Sequence, residues 1–145
     1  MKTRVLVVDD NVDVANSLIR LLNAMGHDAK ACYDGAQAVT EAQDFLPDLL
    51  FIDIAMPGLD GYQTVTKIRG HKECTHAIFI ALSGFATPEY KQRAYEAGFD
   101  LYIAKPMTTD ALTDVLKLLE PDTEQTSIPT KIFRIASHLQ EQQGG

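Results

Sequence analysis

Three aspartates, a serine and a lysine carry the chemistry available to this chain. Asp9 and Asp10 close a short apolar run, Val5, Leu6, Val7 and Val8, and Asp53 closes a second, Leu49, Leu50, Phe51 and Ile52. Ser83 and Lys105 stand just past two more apolar runs, at 77–82 and 101–104. Runs this short, rich in Val, Ile and Leu and ended by polar or turn residues, predict buried strands. Carboxylates at the ends of buried parallel strands occupy the edge where open α/β sheets bind ligands. If the first and third strands are neighbours, three negative charges converge there. Such a cluster shifts its pKa values or takes a cation, and all-oxygen donors suit a hard ion such as Mg²⁺. Three carboxylates, a hydroxyl and an ammonium at one edge make a set for handling phosphoryl groups.

The elements that must position these groups alternate along the chain. After the first strand, residues 12–25 place Ala15, Leu18, Leu22 and Met25 at helical spacing, and Gly26 stops the helix. A weak strand over 29–33 ends in Asp34-Gly35, and a helix over 36–45 ends before Pro47. Past the strand at 49–52, a loop with Pro57, Gly58 and Gly61 leads to a helix over 62–69. The strand at 77–82 is followed by a helix over 88–97, with Pro at its first turn and Gly98 past its end. After the fifth strand, residues 108–120 carry Leu112, Val115, Leu116 and Leu119 in the i, i+3, i+4, i+7 pattern. Five strands alternating with five helices predict a doubly wound parallel sheet with helices on both faces. The order 2-1-3-4-5 sets strands one and three side by side, which is what gathers Asp9, Asp10 and Asp53.

Length and charge bound the rest. A chain of 145 residues holds one domain, and its net charge of −7 argues against direct binding of nucleic acid. Cys32 and Cys74 are far apart, without the spacing of a disulfide framework or a zinc site, and fit reduced thiols. No apolar stretch reaches the ~18 residues of a membrane span, so no membrane partner is expected. Beyond residue 120 the character changes: 121–130 is polar with two prolines and reads as a linker, and 132–139 is a short amphipathic stretch.

Together, Val-Val-Asp9-Asp10-Asn11, Asp53-Ile-Ala-Met56-Pro57-Gly58-Leu-Asp-Gly61, Leu82-Ser83-Gly84 and Ala104-Lys105-Pro106 resemble the receiver domain of two-component response regulators. The segments around Gly84-Phe85 and Glu96-Ala97-Gly98 look most like receivers that serve hybrid sensor kinases. The resemblance spans residues 3–120. It implies a receiver domain at 1–120 with a flavodoxin-like (βα)5 fold, followed by a linker and short helical tail at 121–145. Asp53 would accept a phosphoryl group from a sensor histidine kinase or a histidine phosphotransfer protein. Mg²⁺ or Mn²⁺ would be held by Asp10, Asp9, Asp53 and the Ala55 carbonyl. Lys105 would pair with a phosphoryl oxygen, Ser83 would bond to another, and Tyr102 would turn inward as part of the switch. The Lys105-Pro106 bond would be cis. In this family the residues two past the nucleophile and two past the switch hydroxyl tune hydrolysis; here they are Ala55 and Phe85, which cannot orient water.

Plainer readings exist for each residue. Asp9 and Asp10 could cap a helix, and Tyr102 could be a half-buried aromatic with its hydroxyl at the surface. His27, His71, His76 and His138 are scattered and read as solvated side chains. An aspartyl-phosphate phosphatase, the rival enzyme, would need an acid where Ala55 stands. The expectation is therefore a cytoplasmic phosphorelay module that catalyses only its own phosphorylation and dephosphorylation and acts on a downstream protein. Homodimerisation is left open.

Overall fold

A computed structural model describes residues 2–85, 87–120 and 127–143, with side chains as far as Leu139. Among these residues the strands are β1 (Arg4–Val8), β2 (Asp28–Cys32), β3 (Leu49–Asp53), β4 (Ile78–Ser83) and β5 (Leu101–Ala104). The helices are α1 (Val12–Ala24), α2 (Gly35–Phe45), α3 (Gly61–Arg69), α4 (Pro88–Ala97), α5 (Thr109–Leu116) and α6 (Ile128–Gln143). Short 3-10 turns follow α3 and α5, at Lys72–Cys74 and Lys117–Leu119. The five strands form one parallel sheet in the order β2-β1-β3-β4-β5. That is the doubly wound order expected from the alternation of elements.

Central strands are buried on both faces, which explains their near-continuous apolar sequence. Every residue of β3 and β4 is buried. Two apolar layers flank the sheet. One joins Leu50, Ile52, Phe79 and Ala81 to α2 and α3 through Ala38, Ala42, Val65 and Ile68. The other joins Val5, Val7, Phe51 and Ile80 to α1 and α5 through Ala15, Leu22, Leu112 and Val115. Cys32 and Cys74 are both buried and free.

Local capping accounts for where the helices start. Asn11, Asp34, Asp60 and Thr108 each accept a backbone N–H from the first turn of α1, α2, α3 and α5. Asp60 and Gln63 close a reciprocal capping box at α3. At the far end of the sheet, Arg69 donates to the Gly98 carbonyl at 2.6 Å and to Asp100 at 2.8 Å. Asp100 also accepts the Phe79 N–H at 2.8 Å.

The tail differs from the expectation. Residues 121–126 of the expected linker lie outside the described residues, but from Ile128 the chain is already helical. α6 is 16 residues long rather than confined to 132–139, and it starts through Pro129, which is tolerated in a first turn, where backbone N–H groups have no intrahelical acceptor. It packs on the domain, with Leu139 only 2% exposed.

Candidate functional site

Register places the site residues. Val8 of β1 pairs with Ile52 of β3, so Asp9 and Asp53 come level as the two strands end. Asp53 pairs with Leu82 of β4, one residue short of Ser83, and Ser83 pairs with Ala104, one short of Lys105. The backbone ties continue past the strand ends. The Asp9 N–H donates to the Cys32 carbonyl at 3.1 Å, Ile54 to Leu82 at 3.1 Å and Lys105 to Ser83 at 2.8 Å. Five side chains chosen from sequence thus converge on the carboxyl edge of the sheet. The Lys105-Pro106 peptide is cis, as the resemblance implied.

Carboxylate oxygens of Asp9, Asp10 and Asp53 all lie within 4.8 Å of one another. Asp9 is fully buried and Asp53 is 6% exposed, while Asp10 faces solvent. Lys105 Nζ bridges the two buried acids, 2.9 Å from Asp9 Oδ2 and 3.4 Å from Asp53 Oδ1. Asp9 also accepts the Asn11 N–H at 3.0 Å. One lysine cannot neutralise three carboxylates. Burial, and then repulsion from Asp9, push the Asp53 carboxyl up to about 7, against the pull of Lys105. On Lys105, burial works to lower the pKa, but its hydrogen bond to Asp9 and the charges of Asp53 and Asp9 leave it raised. A set of hard oxygen donors, crowded, anionic and open on the Asp10 side, fits a divalent cation such as Mg²⁺. Ala55, whose carbonyl was expected to complete that set, is exposed in the loop that follows Asp53.

Ser83 and Tyr102 meet on a residue that sequence reasoning treated only as a tuning position. Ser83 Oγ accepts the Phe85 N–H at 3.0 Å, and the Tyr102 hydroxyl donates to the Phe85 carbonyl oxygen. The backbone N–H and C=O of Phe85, in the peptide groups before and after it, are therefore held by the two expected switch side chains. The Phe85 ring, 52% exposed, stacks on Tyr90 of α4 at 5.1 Å. No sequence signal marks such a grip, because it joins a loop to a strand 17 residues on.

Gly61 is a second residue whose part emerges only in three dimensions. A Cβ there would lie 2.6 Å from both the Asp53 carbonyl oxygen and the Ile54 Cα. The loop after β3 can close over the strand that carries Asp53 because residue 61 has no side chain. The same closure is sealed by the Gly61 N–H donating to the Ile54 carbonyl at 2.8 Å.

Beside the carboxylates runs an apolar groove of about 670 Å³ lined by Val14, Leu18, Leu21, Lys105, Pro106 and Met107. Val14 and Leu21 are 43% and 39% exposed, so α1 presents an apolar stripe next to the acidic edge. Among the described residues no helix is long and apolar enough to cross a membrane.

A family model described as the response regulator receiver domain matches residues 5–117. Transcriptional regulatory protein PrrA of Mycobacterium leprae is 37% identical over 116 residues, covering 80% of this chain and 49% of that protein. Protein PilG of Pseudomonas aeruginosa is 31% identical over 118 residues, covering 81% of this chain and 87% of that protein. The crystal structure of the receiver domain of sensor histidine kinase PA1611 from Pseudomonas aeruginosa, with a magnesium ion coordinated in the active site cleft, is similar at a TM-score of 0.73. It is 28% identical, covering 81% of this chain and 96% of that one. The chain spans about half the length, or less, of several curated relatives it matches.

Proposed function

The chain belongs to the response regulator receiver domain family, and from that premise we propose that Asp53 is its phosphoacceptor. The observation that carries this reading is the Lys105 bridge, 2.9 Å from Asp9 and 3.4 Å from Asp53, beside three clustered carboxylates. In the step we envisage, an Asp53 oxygen attacks the phosphorus of a phosphohistidine. The P–N bond breaks, its electron pair and a proton go to the imidazole, and an acyl phosphate forms on Asp53. A carboxylate approaches an anionic phosphoryl group only if the repulsion is cancelled. Mg²⁺, held by Asp9, Asp10, Asp53 and the Ala55 carbonyl, would supply part of that cancellation when bound. Lys105 supplies the rest, moving from its carboxylate partners to a phosphoryl oxygen. The donor provides the high-energy bond, so the receiver mainly positions and neutralises; no separate substrate is turned over.

Ser83 then has a new acceptor. Turning its hydroxyl to the phosphoryl oxygen gives up the Phe85 N–H, while Tyr102 holds the carbonyl of the same residue. The local charge change thereby reaches the exposed Phe85–Tyr90 stack, which is the surface a downstream protein would read. The apolar groove along α1, opening beside Lys105, supports the approach of a protein donor, a histidine kinase or phosphotransfer protein. We place this work in the cytoplasm, in keeping with two free cysteines.

Intact mass after incubation with Mg²⁺ and acetyl phosphate tests the reading. One phosphate is expected on the wild type and none on Asp53→Asn. A wild type that takes neither phosphate nor a stable beryllofluoride adduct would overturn it.

A further inference from the structure

Helix α2 begins against the loop that follows β3, and a glycine lets it do so. Gly35 is the first residue of α2 and is buried. A Cβ there would overlap Thr64 Oγ1 of α3 and lie 2.8 Å from both the Cβ and the carbonyl oxygen of Leu59. Leu59 belongs to the 54–60 loop, which leaves β3 just after Asp53 and carries Ala55. The base of that loop is closed by the Gly61 N–H on the Ile54 carbonyl at 2.8 Å. Its far end is held by Thr64, fully buried, whose hydroxyl donates to the Asp60 carbonyl at 2.7 Å. Between these ties Ala55, Pro57 and Gly58 are exposed, and the bare backbone of Gly35 is what Leu59 rests on. The start of α2 is in turn fixed to the other half of the site. The Asp9 N–H donates to the Cys32 carbonyl at 3.1 Å, the Tyr33 N–H to Gln37 Oε1 at 3.0 Å, and the Gln37 N–H to Asp34 Oδ1 at 2.7 Å. The ends of β1 and β2 and the first turn of α2 are thus joined by hydrogen bonds.

We propose that Gly35 is a positioning residue for the divalent-cation site: its contact with Leu59 sets the gap between the strand end bearing Asp9 and Asp10 and the loop bearing the Ala55 carbonyl. The inference deepens the function proposed above and rests on its assignment of Mg²⁺ to those residues. Gly35 is helical, so its own backbone does not call for glycine, and alanine is the better helix former. Only the close approach excludes a side chain. Two of the three atoms it would meet, the Cβ and carbonyl oxygen of Leu59, are fixed to the main chain and move only with the loop. Mg²⁺ demands near-ideal octahedral geometry, so a carbonyl displaced by about 0.5 Å serves it poorly. Gly35 itself touches no ligand of the cation; it acts through Leu59.

The test needs no phosphoryl donor. Mg²⁺ titrations of the isotope-labelled full chain, followed by amide nuclear magnetic resonance, would compare the wild type with Gly35→Ala and Asp100→Asn under conditions where each is fully folded. Gly35→Ala is expected to raise the Mg²⁺ dissociation constant by about tenfold, and its metal-free amides to shift at 55–60. Asp100→Asn loosens the opposite end of the sheet and should bind Mg²⁺ as the wild type does. If Gly35→Ala does not fold, Gly35→Ala combined with Thr64→Ala decides. That pair removes the overlap with Thr64, keeps the approach to Leu59, and should bind Mg²⁺ more weakly than Thr64→Ala alone. A folded Gly35 variant that binds Mg²⁺ as tightly as its reference overturns the proposal and leaves the assignment of Mg²⁺ standing. An equal loss in Asp100→Asn also overturns it, because affinity would then follow stability rather than the position of the loop. A wild type that binds no Mg²⁺ overturns both.

Discussion

Replacing Asp53 by Asn should make the metal-free protein more stable, and more so as the pH rises. Asp53 is 6% exposed, and its carboxyl is pushed from 3.8 to about 7 by burial and by Asp9. The native state therefore holds a proton that the unfolded chain has lost between those two values, so wild-type stability falls as pH rises through that window. Taken in full, the shift corresponds to about 4 kcal/mol. Part of that penalty is already present at pH 5, and water at the open edge screens more of it. The gain from Asp53→Asn should thus be about 1–3 kcal/mol larger at pH 8 than at pH 5. Lys105 keeps its 2.9 Å partner Asp9 in the variant, so no new unpaired charge offsets the gain. Urea unfolding in EDTA at the two pH values, followed by far-ultraviolet circular dichroism, measures it. Saturating Mg²⁺ should narrow the gap, because it binds the native wild type more tightly than the variant. A variant no more stable than wild type at pH 8, or a gain equal at both pH values, would refute the electrostatic reasoning.

Gly61→Ala should cost about 1–3 kcal/mol, since the added Cβ meets backbone at 2.6 Å that cannot yield as a side chain would. It should also weaken Mg²⁺ binding; a titration that leaves Mg²⁺ affinity unchanged would show that the contact does not position Asp53. Asp100→Asn should lose about 1–3 kcal/mol by weakening a partly exposed pair with Arg69 and an acceptor for the Phe79 N–H. A urea midpoint equal to that of wild type would remove this tie from the account of the fold. Phe85→Glu and Ala55→Asn each introduce a group able to orient water beside the acyl phosphate, so both should shorten its lifetime. Phosphate decay followed by intact mass checks this, and unchanged decay in both variants sinks it.

Much of this protein is local and was therefore legible in the sequence. The spacing of Ala15, Leu18 and Leu22 set α1, the Val-Leu-Val-Val run set β1, and Gly98 marked the end of α4, because periodicity and backbone freedom act over a few residues. Asp9, Asp53, Ser83 and Lys105 could be picked out because each stands where an apolar run stops. Their meeting depended on strand order, which no local pattern encodes; it was inferred from the charge cluster and is realised by the β1–β3 and β3–β4 registers. Other features lie beyond any local signal. The raised Asp53 carboxyl, the grip of Ser83 and Tyr102 on Phe85 and the close approach of Gly61 to β3 are each made by residues distant in the chain. The tail shows the division most plainly. Its amphipathic pattern announced a helix, but only the apolar side chains of β5, α5 and the turn after it, assembled by the rest of the fold, decided that its apolar side is buried.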